Sequence, residues 1–145
     1  MQETVLTTLQ IVLWAIHRIL PYARDLRKHS DHAIERMVAL LREFGLAVPL
    51  LVRSSGELID GHLRLNAAKK LNLKEVPVII CDDWSPQQVK AFRLAVNKSA
   101  SWAEFDLEMV ALEMTELQAA EFDLSLISMF WLKGARLAQP KPEGD

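Results

Sequence analysis

The chain has 145 residues, half of them hydrophobic and a quarter charged, which suits one soluble globular domain and argues against a disordered, collagenous or disulfide-stapled chain. Its formal net charge of −2 conceals a split: residues 1–100 carry 14 Lys/Arg against 10 Asp/Glu, and residues 101–145 carry 3 against 9. A mildly cationic part joined to an acidic one suggests an anion-facing region with a helical annex, and argues against the dense basic face of a general nucleic-acid binder.

In chain order, Leu9–Ile16 is rich in branched and aromatic side chains and predicts a strand. The apolar run to Leu20 is broken by Gln10, His17 and Arg18, so no membrane span or secretory leader is expected. A polar connector follows from Pro21 to His29. Ser30 or Asp31 can cap a helix carrying Ile34, Met37, Val38 and Leu41 at helical spacing, with Gly45 as its stop. Val48–Val52 and Glu57–Ile59 flank Ser54-Ser55-Gly56 and predict a hairpin. Asp60-Gly61 ends the second strand, and a helix runs to about Leu71 with Leu65, Ala68 and Leu71 on one face. Val76–Cys81 predicts a short buried strand, in which Pro77 favours an edge or a strand start. Ser85-Pro86-Gln87-Gln88 is a helix start with a capping serine, a proline at the first helical position and a glutamine three residues after the cap. Val89, Phe92 and Val96 supply that helix's apolar face. Asp106 can cap a further helix, Leu124–Leu137 predicts a last one, and residues 138–145 read as a frayed tail. The order predicts an α+β fold: a short mixed sheet with helices over about residues 9–100, followed by C-terminal helices over about 101–137, in one domain.

Three clusters can carry chemistry. In Ile59-Asp60-Gly61-His62-Leu63-Arg64 a strand delivers a carboxylate, a glycine turns the backbone, and a helix opens at once. Free amides at a helix start favour an anion, and the planar fork of Arg64 can grip the same phosphate. Spacing alone favours the plainer reading, a glycine turn with a surface arginine, because D-G-H-x-R is short. Arg24, Arg27, Lys28, His29 and Ser30 form a second anion-friendly corner, or a solvated basic loop. Asn97, in Asn97-Lys98-Ser99, is a helix cap or a neutral oxygen ligand for Mg²⁺. Asp60, His62 and Glu43 are the candidates for any acid–base work. The single cysteine, Cys81, ends an apolar strand and reads as a buried structural thiol, and a reducing, cytoplasmic setting is expected. Trp14, Trp84, Trp102 and Trp131 read as packing residues.

Taken together, the segments E-F-G-L-A-V-P-L-L-V, I-D-G-H-L-R-L-N-A-A-K-K-L, V-P-V-I-I and A-F-R-L-A-V-N-K-S-A resemble the ParB/sulfiredoxin fold, over roughly Leu9 to Leu126. The variety is similar to the ParB-like N-terminal module of phage and prophage proteins, often fused to or encoded near DNA methyltransferases. The resemblance implies a nucleotide site for CTP or ATP with Mg²⁺. It places the phosphates at Gly61, His62 and Arg64, with Asn97 as the metal's amide, and the connector residues Arg24, Arg27, Lys28 and Ser30 are expected to join that site through their charge. Only Gly61, Arg64 and Ala67 agree with the family's G-E-R-R-x-R-A segment, and Val96 stands where the family has a carboxylate for hydrolysis. His62 stands where sulfiredoxins carry their catalytic cysteine. Free-serine kinases of this fold use a similar D-G-H-x-R stretch, so phosphoryl transfer is the alternative, together with an NTPase or the nuclease that ParB-like domains are often labelled. The implied partners are a nucleotide, a DNA methyltransferase or other phage protein, and DNA contacted weakly through Arg24–Lys28 or through a partner protein.

Overall fold

The computed structural model describes residues 9–24, 28–101, 103–125 and 127. It divides into two compact units, residues 1–100 and residues 101–145.

The first unit is built on a four-stranded mixed sheet. Its strands are β1 (Ile11–Ala15), β2 (Leu50–Val52), β3 (Leu58–Asp60) and β4 (Glu75–Ile80), in the order β1-β4-β2-β3. β1 runs antiparallel to β4, β4 parallel to β2, and β2 antiparallel to β3. Alternation along each strand sends its side chains to opposite faces. Trp14, Leu50, Val52, Leu58, Val76 and Val78 are buried on one face with Val38 and Leu41 of α1 (Asp31–Phe44) and Leu65, Ala67 and Ala68 of α2 (His62–Lys70). Leu51 and Ile59, one residue out of step, form a smaller cluster with Cys81, Trp84 and with Val89 and Phe92 of α3 (Pro86–Ser99). Helices thus pack on both sides of the β2–β3 hairpin.

The local signals explain the ends of these elements. Ser30 accepts from the Ala33 N–H at 3.1 Å and caps α1, and Gly45 closes it. Ser85 and Gln88 exchange reciprocal bonds of 3.2 and 2.8 Å in a complete capping box at the start of α3. The first strand is shorter than the apolar run suggests and passes into a 3-10 turn over Ile16–Arg18. Pro77 departs from expectation: it lies inside β4, which is an interior strand opposite Leu13 of β1. The Cys81 N–H donates to Val52 of β2, so with a period of two the Pro77 nitrogen faces the β2 side. β2 begins to pair only at Val78, so the missing donor falls just ahead of the ladder.

In the second unit, Asp106 accepts from the N–H groups of Glu108 and Met109 and caps α4 (Leu107–Ala119). Of the segment expected to form a last helix, Leu124, Ser125 and Ile127 are described; the remainder, the tail, Trp102 and Trp131 lie outside the described residues. Among the described residues no helix is long and apolar enough to cross a membrane.

Candidate functional site

The end of β3 and the start of α2 meet at Gly61, with φ of 113°. A side chain there would be strained by that φ and would stand 2.5 Å from Leu50 Cδ2 and 3.1 Å from the Arg64 guanidinium. Only glycine lets β3 hand the chain directly to a helix whose first turn carries His62 and Arg64. These residues line a cleft of about 280 Å³, together with Tyr22, Arg24 and His29 of the connector and Arg93, Val96 and Asn97 of α3.

Two arginines dominate the cleft. Arg64 Nη2 donates to the Pro49 carbonyl at 3.1 Å, while its buried Nε has no partner. Burial pushes the Arg64 guanidinium below its ordinary range, and the nearby Asp60 carboxylate works in the opposite direction. Arg93 is only 4% exposed. Its Nη2 donates to the Leu58 carbonyl at 2.6 Å and lies 3.3 Å from Glu57, its guanidinium stacks 3.6 Å from the centre of the Tyr22 ring, and its Nε is also buried without a partner. Burying guanidinium groups with unmet donors is costly unless an anion completes them.

His62 Nε2 accepts from the Tyr22 N–H at 3.2 Å, which fixes that nitrogen as the unprotonated one and ties the connector to the start of α2. Asn97 Nδ2 donates to the Arg93 carbonyl at 2.7 Å, one turn back along α3, so Asn97 sits within the last turn and is not its cap. For Mg²⁺ the cleft offers the Asn97 amide oxygen and the Asp60 carboxylate, and no cluster of three or more His, Cys, Asp or Glu exists among the described residues. Such a pair fits a cation that brings water and phosphate oxygens with it, rather than a resident ion.

The expected site residues divide accordingly. Asp60, Gly61, His62, Arg64, Arg24 and Asn97 share the cleft. Lys28 and Ser30 do not line it, and Ser30 is engaged as the α1 cap. Arg27 lies outside the described residues. Glu43 is on the exposed side of α1, outside the cleft. Cys81 is buried, and burial, with Asp83 and Asp82 adding to it, pushes its thiol up, away from the reactive thiolate. Arg93 and Tyr22 belong to the site without having been singled out from the sequence. The signal for Arg93 was present: it stands four residues after Val89 and three before Val96, a cation inside the apolar stripe of α3.

The model of the ParB N-terminal domain matches residues 3–99. The chain belongs to that family. Its ParB-like domain is 35% identical over 80 residues to the ParB-like nuclease domain-containing protein YnaK of Escherichia coli, an overlap of 55% of this chain and 92% of the relative. It is 36% identical over 76 residues to the chromosome-partitioning protein Spo0J of Thermus thermophilus, spanning 50% of this chain and only 28% of that protein. The crystal structure of the C-terminally truncated chromosome-partitioning protein ParB of Caulobacter crescentus, complexed with CTP-γ-S, superposes with a TM-score of 0.68 at 20% identity, over 82% of this chain and 69% of that one. At that identity the likeness establishes the shared ParB fold.

Proposed function

We propose that this ParB-like domain is a nucleotide- or phosphate-binding module that serves DNA partitioning or modification through a partner protein, without efficient hydrolysis. The observation that carries the reading is the pair of guanidinium groups of half-buried Arg64 and buried Arg93, each with an unpartnered Nε, lining the cleft where α2 opens. A helix start, whose first amides lack partners within the helix, and the two forks suit a phosphate group. CTP and ATP, with Mg²⁺ carried on their phosphates at Asn97, are the ligands proposed. Val96 lines the same cleft, and its isopropyl group can neither accept a proton nor orient an attacking water. A DNA methyltransferase or another phage protein is the partner class suggested by the resemblance of W-A-E-F-D-L-E (residues 102–108) and E-F-D-L-S-L (residues 121–126) to the phage-type module.

Phosphoryl transfer is the second reading, favoured by Asp60, whose carboxylate shares the cleft with His62 and Arg64. One experiment separates the two. The full chain is melted with CTP and with ATP, each with and without Mg²⁺, while phosphate release and transfer to free serine are followed. Ligand at about 100 times its Kd stabilises by about 2.7 kcal/mol, a rise of several degrees in Tm. Arg64→Ala removes that rise, and Arg64→Lys, which keeps the charge but not the fork, restores only part of it. A parent chain whose melting ignores all four ligands overturns the binding reading. Steady turnover abolished by Arg64→Ala establishes the enzymatic one.

A further inference from the structure

β1 forms one edge of the sheet, and its register with β4 fixes which of its backbone groups face outward. Pro77 stands opposite Leu13 and has no N–H to give, and the Ile16 N–H donates to the Lys74 carbonyl at 2.9 Å. Val12, Trp14 and Ile16 therefore turn their backbone groups to β4, while Ile11, Leu13 and Ala15 turn theirs to the outer edge. Among the described residues no strand pairs with that edge. The opposite edge is treated differently: Leu20 donates to the Gly56 carbonyl and accepts from the Leu58 N–H, which covers the start of β3. The side chains of Ile11 and Leu13 are 61% and 65% exposed. They lie on the face of the sheet where α3 packs over Leu51 and Ile59 and stops short of β1. An edge is ordinarily guarded by a charge, a proline or a bulge, and β1, I-V-L-W-A, has none of these.

We propose that the outer edge of β1 docks β1 of a second copy of this chain, the two strands pairing antiparallel about a two-fold axis at Leu13. In that register Leu13 meets its own copy and Ile11 meets Ala15, each pair exchanging the N–H and C=O groups that point outward. A large side chain then faces a small one on either side of the central leucines, so the strand is its own complement in volume. Charge selects the same arrangement. His17 and Arg18 lie at one end of β1, and antiparallel pairing sets them beside the uncharged Leu9 end of the partner, whereas parallel pairing would bring like charges together. Because β1 has only five residues, the area covered falls below the about 1,200–2,000 Å² of stable complexes, so the dimer is a weak one. The Gly61 cleft lies at β3, the far edge of the sheet, so pairing through β1 is independent of what the cleft binds.

Sedimentation of the full chain without nucleotide, from about 1 to 500 μM, reads the association. The parent passes from monomer to dimer with a Kd of about 10–100 μM. Leu13 is exposed, so Leu13→Lys leaves the melting temperature of the monomer unchanged, and it raises the dimer Kd at least about tenfold by setting two like charges face to face. Cysteine variants read the register. Under mild oxidation Leu13→Cys links two copies, because opposed residues of paired strands lie within disulfide reach. Leu9→Cys does not, since in this register the two Leu9 positions stand more than about 20 Å apart. A parent that stays monomeric at every concentration overturns the proposal and leaves the edge to a strand of some other protein. A dimer that ignores Leu13→Lys, or that forms only when CTP is added, overturns it in favour of another surface. Linking through Leu9→Cys as readily as through Leu13→Cys overturns the antiparallel register. None of these results bears on whether the cleft binds a nucleotide, which the melting of the Arg64 variants decides.

Discussion

Gly61 decides where every group of the cleft stands. Its left-handed conformation is one that an L side chain adopts at a cost of about 1–2 kcal/mol, and overfilling a packed site adds about 1–3 kcal/mol. The atom that a side chain would strike, Leu50 Cδ2, belongs to a fully buried residue of β2. Gly61→Ala is therefore expected to lower stability in urea by about 2–5 kcal/mol, with a loss of phosphate response like that of Arg64→Ala, because the Arg64 guanidinium is displaced too. A change below about 0.5 kcal/mol would show that the turn yields without strain. The sequence made this residue legible, because D-G-H between a strand and a helix has few other uses. Arg93 was less legible. A cation on an amphipathic helix ordinarily stays in water, and what draws this one inside is the Leu58 carbonyl, 35 residues away, together with the Tyr22 ring.

At the scale of elements, helix starts were readable because capping is local chemistry: Ser30, Ser85 and Asp106 each bond an amide two or three residues ahead. Sheet order was not readable, because the parallel pairing of β2 with β4 joins strands separated by β3 and α2. For the same reason the place of Pro77 in an interior strand could not be foreseen. The β2–β3 turn shows what such long-range pairing adds. Beyond β4, Asp82 accepts from the Ser54 N–H at 2.9 Å and so ties the hairpin tip to the strand end. That bond, with the Ser54 hydroxyl and then Arg53 adding to it, holds the Asp82 carboxyl below the usual range. A carboxyl depressed by folding stabilises fully above its unfolded pKa of about 3.9, and the contribution disappears as pH falls through the lower folded value. The Tm difference between the parent and Asp82→Ala is thus expected to be constant from about pH 7 to 5 and to close below about pH 4. A difference that persists undiminished at pH 3 would assign the effect to packing instead of charge.

At the scale of the molecule, charge follows the division into units. Residues 1–100 hold the sheet, both apolar clusters and the cleft, with 14 basic against 10 acidic residues, and residues 101–145 hold 3 against 9. Non-specific affinity for DNA comes chiefly from cations that displace counterions from phosphates, and an acidic segment on the same chain opposes it. Because the apolar clusters lie within residues 1–100, a fragment of that length is expected to unfold cooperatively by itself. Its net charge of +4, against −2 for the whole chain, should then be visible in DNA binding. In about 50 mM salt the fragment is expected to bind random duplex DNA about tenfold more tightly than the whole chain, and both should lose most of that affinity by about 200 mM. Fluorescence anisotropy over a salt series measures both quantities. Alanine at Arg24 and Lys28 should flatten the fragment's salt slope by about one to two, since each phosphate contact contributes about 0.9. Equal affinities for fragment and whole chain would show that the acidic residues do not oppose DNA. Tight sequence-specific binding by the whole chain at physiological salt would mean that its DNA contacts extend beyond the connector, because a few cations on one loop cannot distinguish base pairs.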